Sequence, residues 1–163
     1  MQPAIYEEKI YSKAITAVIG SVTVVMFLLF IYQVLVEPIG SNPAPNLLLL
    51  GLGLLFLVIT INFSRMIIQI TPEFVSVRYG ISKQKVSWGN IQKCYLDTSS
   101  ALAYGGSGIR IVKIKGKKRI VYSVVGGPRV VISLKEGTYD ELAFSTRNPD
   151  EVIKVIKEWS KPQ

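Results

Sequence analysis

Histidine is missing from this chain of 163 residues, and cysteine occurs once, at Cys94. The first absence removes every histidine-based catalytic dyad or triad, together with the commonest metal ligand. The second excludes a disulfide framework and a cysteine-rich metal site, leaving Cys94 to act as a small apolar side chain. Between Lys13 and Arg65 there is no Lys or Arg, and Glu37 is the single acid. Ionisable side chains inside apolar spans mark ion and proton paths. Their absence makes an accessory subunit of a membrane enzyme or transporter the weakest reading of the chain. No residue pattern asks for a cofactor or a metal, and the sequence reads as that of a protein that is not an enzyme.

That uncharged stretch holds two apolar runs, 14–36 and 47–63. The first carries Gln33 as its only strongly polar side chain, and as a helix it would reach about 34 Å, against roughly 30 Å of bilayer hydrocarbon. The second is rich in Leu and close to the minimum length for a span. Between them, residues 37–46 contain Pro38, Pro43, Pro45 and Gly40, which cannot continue a helix and impose a turn. The expectation is a transmembrane hairpin, with Gly20, Ser21, Gly51 and Gly53 allowing close helix contact. A secretory signal would have a shorter apolar region, about 7–15 residues, ending at a small-residue cleavage site. Lys9 and Lys13 precede the first run and Arg65 follows the second, so the bias of basic residues toward the cytoplasm puts both termini on that side. The chain is therefore expected to be a multi-pass protein of the cytoplasmic (inner) membrane. Its parts would be an N-terminal cytoplasmic tail, 1–13, the hairpin, 14–63, and a cytoplasmic domain, 64–163.

The net charge of +8 is uneven: residues 64–163 carry 17 of the 19 basic residues and eight of the 11 acidic ones. Such a surplus either attracts an anionic leaflet, at about 1 kcal/mol per cation near its surface, or only enforces topology. Nucleic-acid binding would call for a reading helix or an exposed aromatic platform, and neither is evident, so no nucleic acid is expected as a partner.

Beyond Arg65 the pattern changes to short segments separated by turns, as in an antiparallel β domain. Candidate strands are 66–70, 74–79, 85–88, 91–96, 109–115, 119–124, 129–134 and 139–145. Phe74, Ser76 and Arg78 alternate with Val75, Val77 and Tyr79, which gives one apolar face. Seven or so strands without intervening helices suggest a sandwich or partly open barrel. At the end, Asn148 can cap a helix that Pro149 opens, with Asp150 and Glu151 at its positive end. Val152, Val155, Ile156 and Trp159 then form an apolar stripe suited to closing an open end of the β domain.

Three features carry a resemblance: Ile70-Thr71-Pro72-Glu73-Phe74-Val75-Ser76-Val77-Arg78-Tyr79-Gly80, then Val86-Ser87-Trp88-Gly89-Asn90-Ile91, and the ending Phe144-Ser145-Thr146-Arg147-Asn148-Pro149-Asp150-Glu151. Together with the order of hairpin and domain, residues 66–160 resemble bacterial pleckstrin-homology-like (PH-like) domains of small membrane proteins, long catalogued as a domain of unknown function. The resemblance implies a seven-stranded, two-sheet, partly open barrel plugged by the C-terminal helix. Eukaryotic relatives that hold phosphoinositides cluster Lys and Arg around their first hairpin, whereas the turn here is Thr71-Pro72-Glu73.

The candidate contact residues are Lys113, Lys115, Lys117, Lys118 and Arg119, crowded around Gly116 at what reads as a hairpin tip. They either track anionic lipid head groups or form a solvated turn that blunts a sheet edge. The Gly-rich stretch 99–108 reads as the longest connection of the domain, and Asp97 with Thr98, Ser99 and Ser100 as ordinary turn chemistry. The functional expectation is a non-catalytic, membrane-anchored PH-like domain that binds a protein partner or assembles with copies of itself. The alternative is a module for anionic lipid or its head group, working through the basic tip.

Overall fold

The computed structural model describes residues 4–99, 104, 106–124 and 126–160. They form two compact units, Lys13–Ser64 and Met1–Ser12 with Arg65–Gln163.

The first unit is a pair of helices, α1 (Lys13–Leu35) and α2 (Asn46–Asn62). Pro45 occupies the position before α2, and the prolines of the connection stop either helix from running on. The helices lie antiparallel, and their contacts follow in order. Gly20 approaches Thr60, the Thr23 and Thr60 hydroxyls meet at 3.3 Å, and a side chain at Gly53 would stand 3.2 Å from the Phe27 ring. At the connection, Gln33 donates to the Ala44 carbonyl at 2.6 Å and to Asn46 Oδ1 at 2.5 Å. Gly53 and Gly20 thus serve close packing as expected, but Gly51 faces open space. Thr23 is the only buried residue of α1, while Leu35 and Leu47 are 76% and 80% exposed. Among the described residues, α1 alone is a helix long and apolar enough to cross a membrane. α2, with 17 residues, reaches about 26 Å.

The second unit is mainly β, with nine strands among the described residues. A four-stranded antiparallel sheet contains, in spatial order, β1 (Tyr6–Tyr11), β2 (Arg65–Ile70), β3 (Phe74–Tyr79) and β4 (Ser82–Ser87). The other five strands are β5 (Ile91–Leu96), β6 (Gly108–Ile114), β7 (Lys117–Ser123), β8 (Arg129–Leu134) and β9 (Glu141–Ser145), ordered β5-β8-β9-β7-β6. Helix α3 (Pro149–Trp159) ends the unit and packs on β5 and β8.

Five expectations are corrected. The stretch read as an N-terminal tail contains β1, paired with β2 from Tyr6↔Ile70 to Tyr11↔Arg65, which belongs to the β unit. There are nine strands where about seven were expected, and β7 and β9 pair parallel in a domain expected to be antiparallel throughout. The cause is the path of the chain: β9 returns from β8 and inserts between β8 and β7. β4 begins at Ser82, and Trp88 falls in the one-turn helix Trp88–Asn90 that follows it. Asn148 stands at the cap position of α3 without a side-chain bond there. The chain entering the helix is fixed instead by Thr146 Oγ1, which accepts the Asn148 N–H at 3.2 Å, and by Glu8 of β1, which accepts the Arg147 N–H at 2.9 Å.

Period-two alternation gives each sheet an apolar inner face, and the central strands of the second sheet are buried on their outer face as well. In the first sheet Ile10, Met66, Ile68, Ile70, Val75, Val77, Tyr79 and Val86 are buried; in the second, Ile120, Tyr122, Val130, Ile132, Leu142 and Phe144 are. Each fully buried side chain of this size contributes roughly 1.5–3 kcal/mol. The two faces meet where the Tyr122 hydroxyl reaches Ser82 Oγ at 2.9 Å, and Val152 and Ile156 of α3 are wholly buried. Trp159, at the end of the helical stripe, lies 6.1 Å from Trp88.

Candidate functional site

The predicted basic hairpin exists. β6 and β7 join through Lys115 and Gly116, both at positive φ (50° and 84°), the two-residue connection whose twist matches that of the flanking strands. Strand register then divides its cations. Lys113 and Lys118 stand opposite each other on one face, and Lys117 and Arg119 point to the other. Lys113, Lys115, Lys117 and Lys118 are exposed. Two of these have local partners, since Lys117 Nζ lies 3.2 Å from Glu141 and the Lys118 ammonium sits 5.2 Å from the Tyr139 ring centre. Arg119 is a correction: it is 4% exposed and cannot reach a head group.

Arg119 instead belongs to a set of buried charges on the second sheet's outer face. Its Nε and Nη2 donate to Glu141 Oε2 at 2.8 and 2.5 Å, and its Nη1 donates to the Tyr104 hydroxyl and to Asp97 Oδ1, the latter at 3.4 Å. Asp97 Oδ2 accepts from Arg129 Nε at 3.0 Å, and the Arg129 guanidinium lies 4.5 Å over the Tyr104 ring. Glu141 Oε1 accepts from the Tyr95 hydroxyl at 2.8 Å and from Ser133 Oγ at 3.2 Å. Beneath these groups Tyr104 packs with Val121, Val131 and Ala143, bordered by Val112 and Ile114. Asp97 also accepts the Ser99 N–H at 3.0 Å, the local turn expected of it, but its second oxygen serves the ion pair. Residues 100–103 and 105 of the Gly-rich stretch lie outside the described residues.

Sequence reading missed Asp97 and Glu141 as partners of Arg119, and Arg129 as the second cation on Asp97. One signal was available. Arg119 opens the run Arg119-Ile120-Val121-Tyr122-Ser123, which is apolar on both faces and therefore a central strand, where a cation has to be paired.

Electrostatics follow from this packing. Burial alone would raise the Asp97 and Glu141 pKa values, but hydrogen bonds from Tyr104, Ser99 and Arg129 to the first, and from Arg119 and Tyr95 to the second, hold both below the usual carboxylate range. Burial works against the Arg119 charge, and Glu141 and Tyr104 more than restore it, raising its pKa. Tyr95 and Tyr104 are pushed up by burial and then by their carboxylate neighbours, Glu141 and Asp97. Burial also pushes the Cys94 thiol up to about 12. Each of these shifts favours the group's ordinary state at neutral pH, so the arrangement holds charge in place.

The first sheet's outer face is different. Strand register aligns Lys9, Ile67, Arg78 and Lys83 in one row, flanked by the row Glu7, Gln69, Ser76, Lys85 and by the pair Tyr11 and Arg65. Glu7, Lys9, Arg65, Ile67, Gln69, Arg78 and Lys83 line a groove of about 420 Å³. Glu7 is held by Lys9 at 2.9 Å and by Gln69 at 3.1 Å, and among the described residues no carboxylate pairs with Arg65, Arg78, Lys83 or Lys85. No protein-family model, curated protein or solved structure matches the chain.

Proposed function

We propose that the chain is a non-catalytic, membrane-anchored binding module: α1 and α2 form a two-span hairpin, and the β unit is a PH-like domain at the inner face of the cytoplasmic membrane. The observation that carries this reading is the helical pair. Its two helices satisfy each other through small and hydroxyl side chains while most of their large apolar side chains remain exposed. A water-soluble protein does not leave so large a continuous apolar surface exposed, whereas lipid accepts it. Thr23 and Thr60 also return their hydroxyls to carbonyls one turn back, at 2.9 and 2.8 Å, as spans require where water is absent. The self-satisfied charges of the second sheet support a binding role over a chemical one. The partner is a protein or a second copy, docking on the edge strand β6, where Ile111 is 57% exposed.

Topology decides the matter. In cells expressing the full chain, Ser41→Cys should react with a membrane-impermeant maleimide from outside, and Lys115→Cys only after lysis. The buried Cys94 thiol leaves the background low. Alkaline carbonate should leave the chain in the membrane pellet. Release by carbonate, or labelling of position 115 from outside, overturns the reading.

A further inference from the structure

The geometry points to the outer face of the β1–β4 sheet as a second binding site, one for the phosphate groups of anionic phospholipids. Arg65, Arg78 and Lys83 surround one groove without a carboxylate partner among the described residues, and Lys85 stands beside it. Arg78 and Lys83 are direct cross-strand neighbours. Like charges in that position destabilise a sheet, so folding does not account for their pairing. Local rules are broken in this way at functional sites.

The groove is shaped for an anion. Its floor is Ile67, only 9% exposed; one part of its wall carries the guanidinium groups of Arg65 and Arg78, which match a phosphate with paired N–H bonds, with the Lys83 ammonium, and the other part carries Glu7, whose carboxylate is already held by Lys9 and Gln69. The Phe74 ring steadies the lysines at one side, with Lys85 Nζ 4.7 Å and Lys83 Nζ 6.0 Å from its centre. The hairpin tip lacks this convergence, because Arg119 is buried and the lysines are split between two faces.

Chain length selects the source of the phosphate. Ser12 alone separates β1 from α1, and Phe63 and Ser64 alone separate α2 from β2. At about 3.6 Å per residue, Tyr11 and Arg65 are tethered within roughly 10 Å of chain from the helix ends. If those helices cross the bilayer, the Arg65 end of the groove is confined to the head-group region, within a Debye length of the charged surface. The inference therefore rests on the membrane-anchored reading. Each cation held near an anionic leaflet is worth roughly a fivefold gain in binding.

The test uses the full chain with a nitroxide on Ser87→Cys, an exposed position on the same face outside the groove lining, reconstituted in nanodiscs of phosphatidylcholine alone or with about a third of phosphatidylglycerol. The readout is the collision rate of the label with a lipid-tethered nickel chelate. With the anionic lipid the rate should rise about threefold or more, and high salt, which shortens screening to about 3 Å at 1 M, should return it to the neutral-lipid value. Combining Arg65→Gln, Arg78→Gln and Lys83→Gln should abolish the rise. The same label on Lys115→Cys should show no such dependence on these three residues. A label at 87 that responds equally to both lipids, in a chain that has incorporated normally, overturns the inference and leaves the anchored reading standing. A rise that added inorganic phosphate or a soluble acidic peptide produces equally well without anionic lipid also overturns it. A chain that does not enter the discs overturns both.

Discussion

The two sheets of the β unit are built alike on their inner faces and oppositely on their outer ones. Both bury branched and aromatic side chains inward. Outward, the second sheet carries Arg119, Arg129, Asp97 and Glu141, covered and joined into one network, with no described buried side-chain N or O atom left without a partner. The first sheet carries Lys9, Arg65, Arg78, Lys83 and Lys85, exposed and balanced by Glu7 alone. Charge count does not separate these faces, since both are rich in cations. What separates them is whether carboxylates arrive in register: Glu141 pairs with Arg119 because β9 lies beside β7, and no such strand borders β3 and β4. A cation on a sheet is a structural element when its partner strand supplies an acid, and an available charge when it does not.

The comparison breaks most sharply at Glu141. Glu141→Ala leaves Arg119 buried without its main partner, and uncompensated burial of this kind costs about 3–5 kcal/mol, to be read as a shift of the chemical-denaturation midpoint of the β-unit signal. Replacing Arg119 by Met and Glu141 by Leu together should recover most of that loss, because a well-packed apolar pair tolerates burial better than a lone charge. No recovery would mean that the pair specifies the β7–β9 register and does more than neutralise charge.

An intermediate effect is expected from acid. Asp97 and Glu141 have folded pKa values below their unfolded ones, so their stabilisation is complete above the ordinary carboxylate range and is lost as pH falls through the folded values. Unfolding followed from pH 7 down to pH 2 should show a steep acid limb, shallower in Glu141→Gln. An unchanged limb would show that Glu141 does not set the acid sensitivity.

The smallest effect belongs to the first sheet. Arg78→Gln should change stability by no more than about 0.5 kcal/mol, toward greater stability because it relieves repulsion with Lys83. Thermal unfolding of the two chains at low and high salt measures it. A large loss would show that Arg78 is structural and would erase the contrast between the sheets.

The legible parts of the fold were those that neighbouring residues decide. Continuous apolar runs gave α1 and α2 to within a residue or so, alternation from Phe74 to Tyr79 gave the faces of β3, and Pro149 with the Val152 and Ile156 spacing gave α3. β1 was not legible. In Tyr6-Glu7-Glu8-Lys9-Ile10-Tyr11 only Ile10 is fully buried, and the strand exists because β2, more than fifty residues away, offers it an edge. The candidate site was half legible for the same reason: the cluster from Lys113 to Arg119 is visible as a string of cations, but Glu141 and Asp97 lie 22 residues away on either side of Arg119.

The sequence by itself determined where the chain is continuously apolar, where it must turn, and which side of each strand is greasy, because these follow from adjacent residues and the helix and strand periods. Only the tertiary structure decided which cations are consumed and which are free. A charge is neutralised by whatever stands within a few ångströms of it, and in a β domain those neighbours come from distant strands whose order the local pattern does not encode.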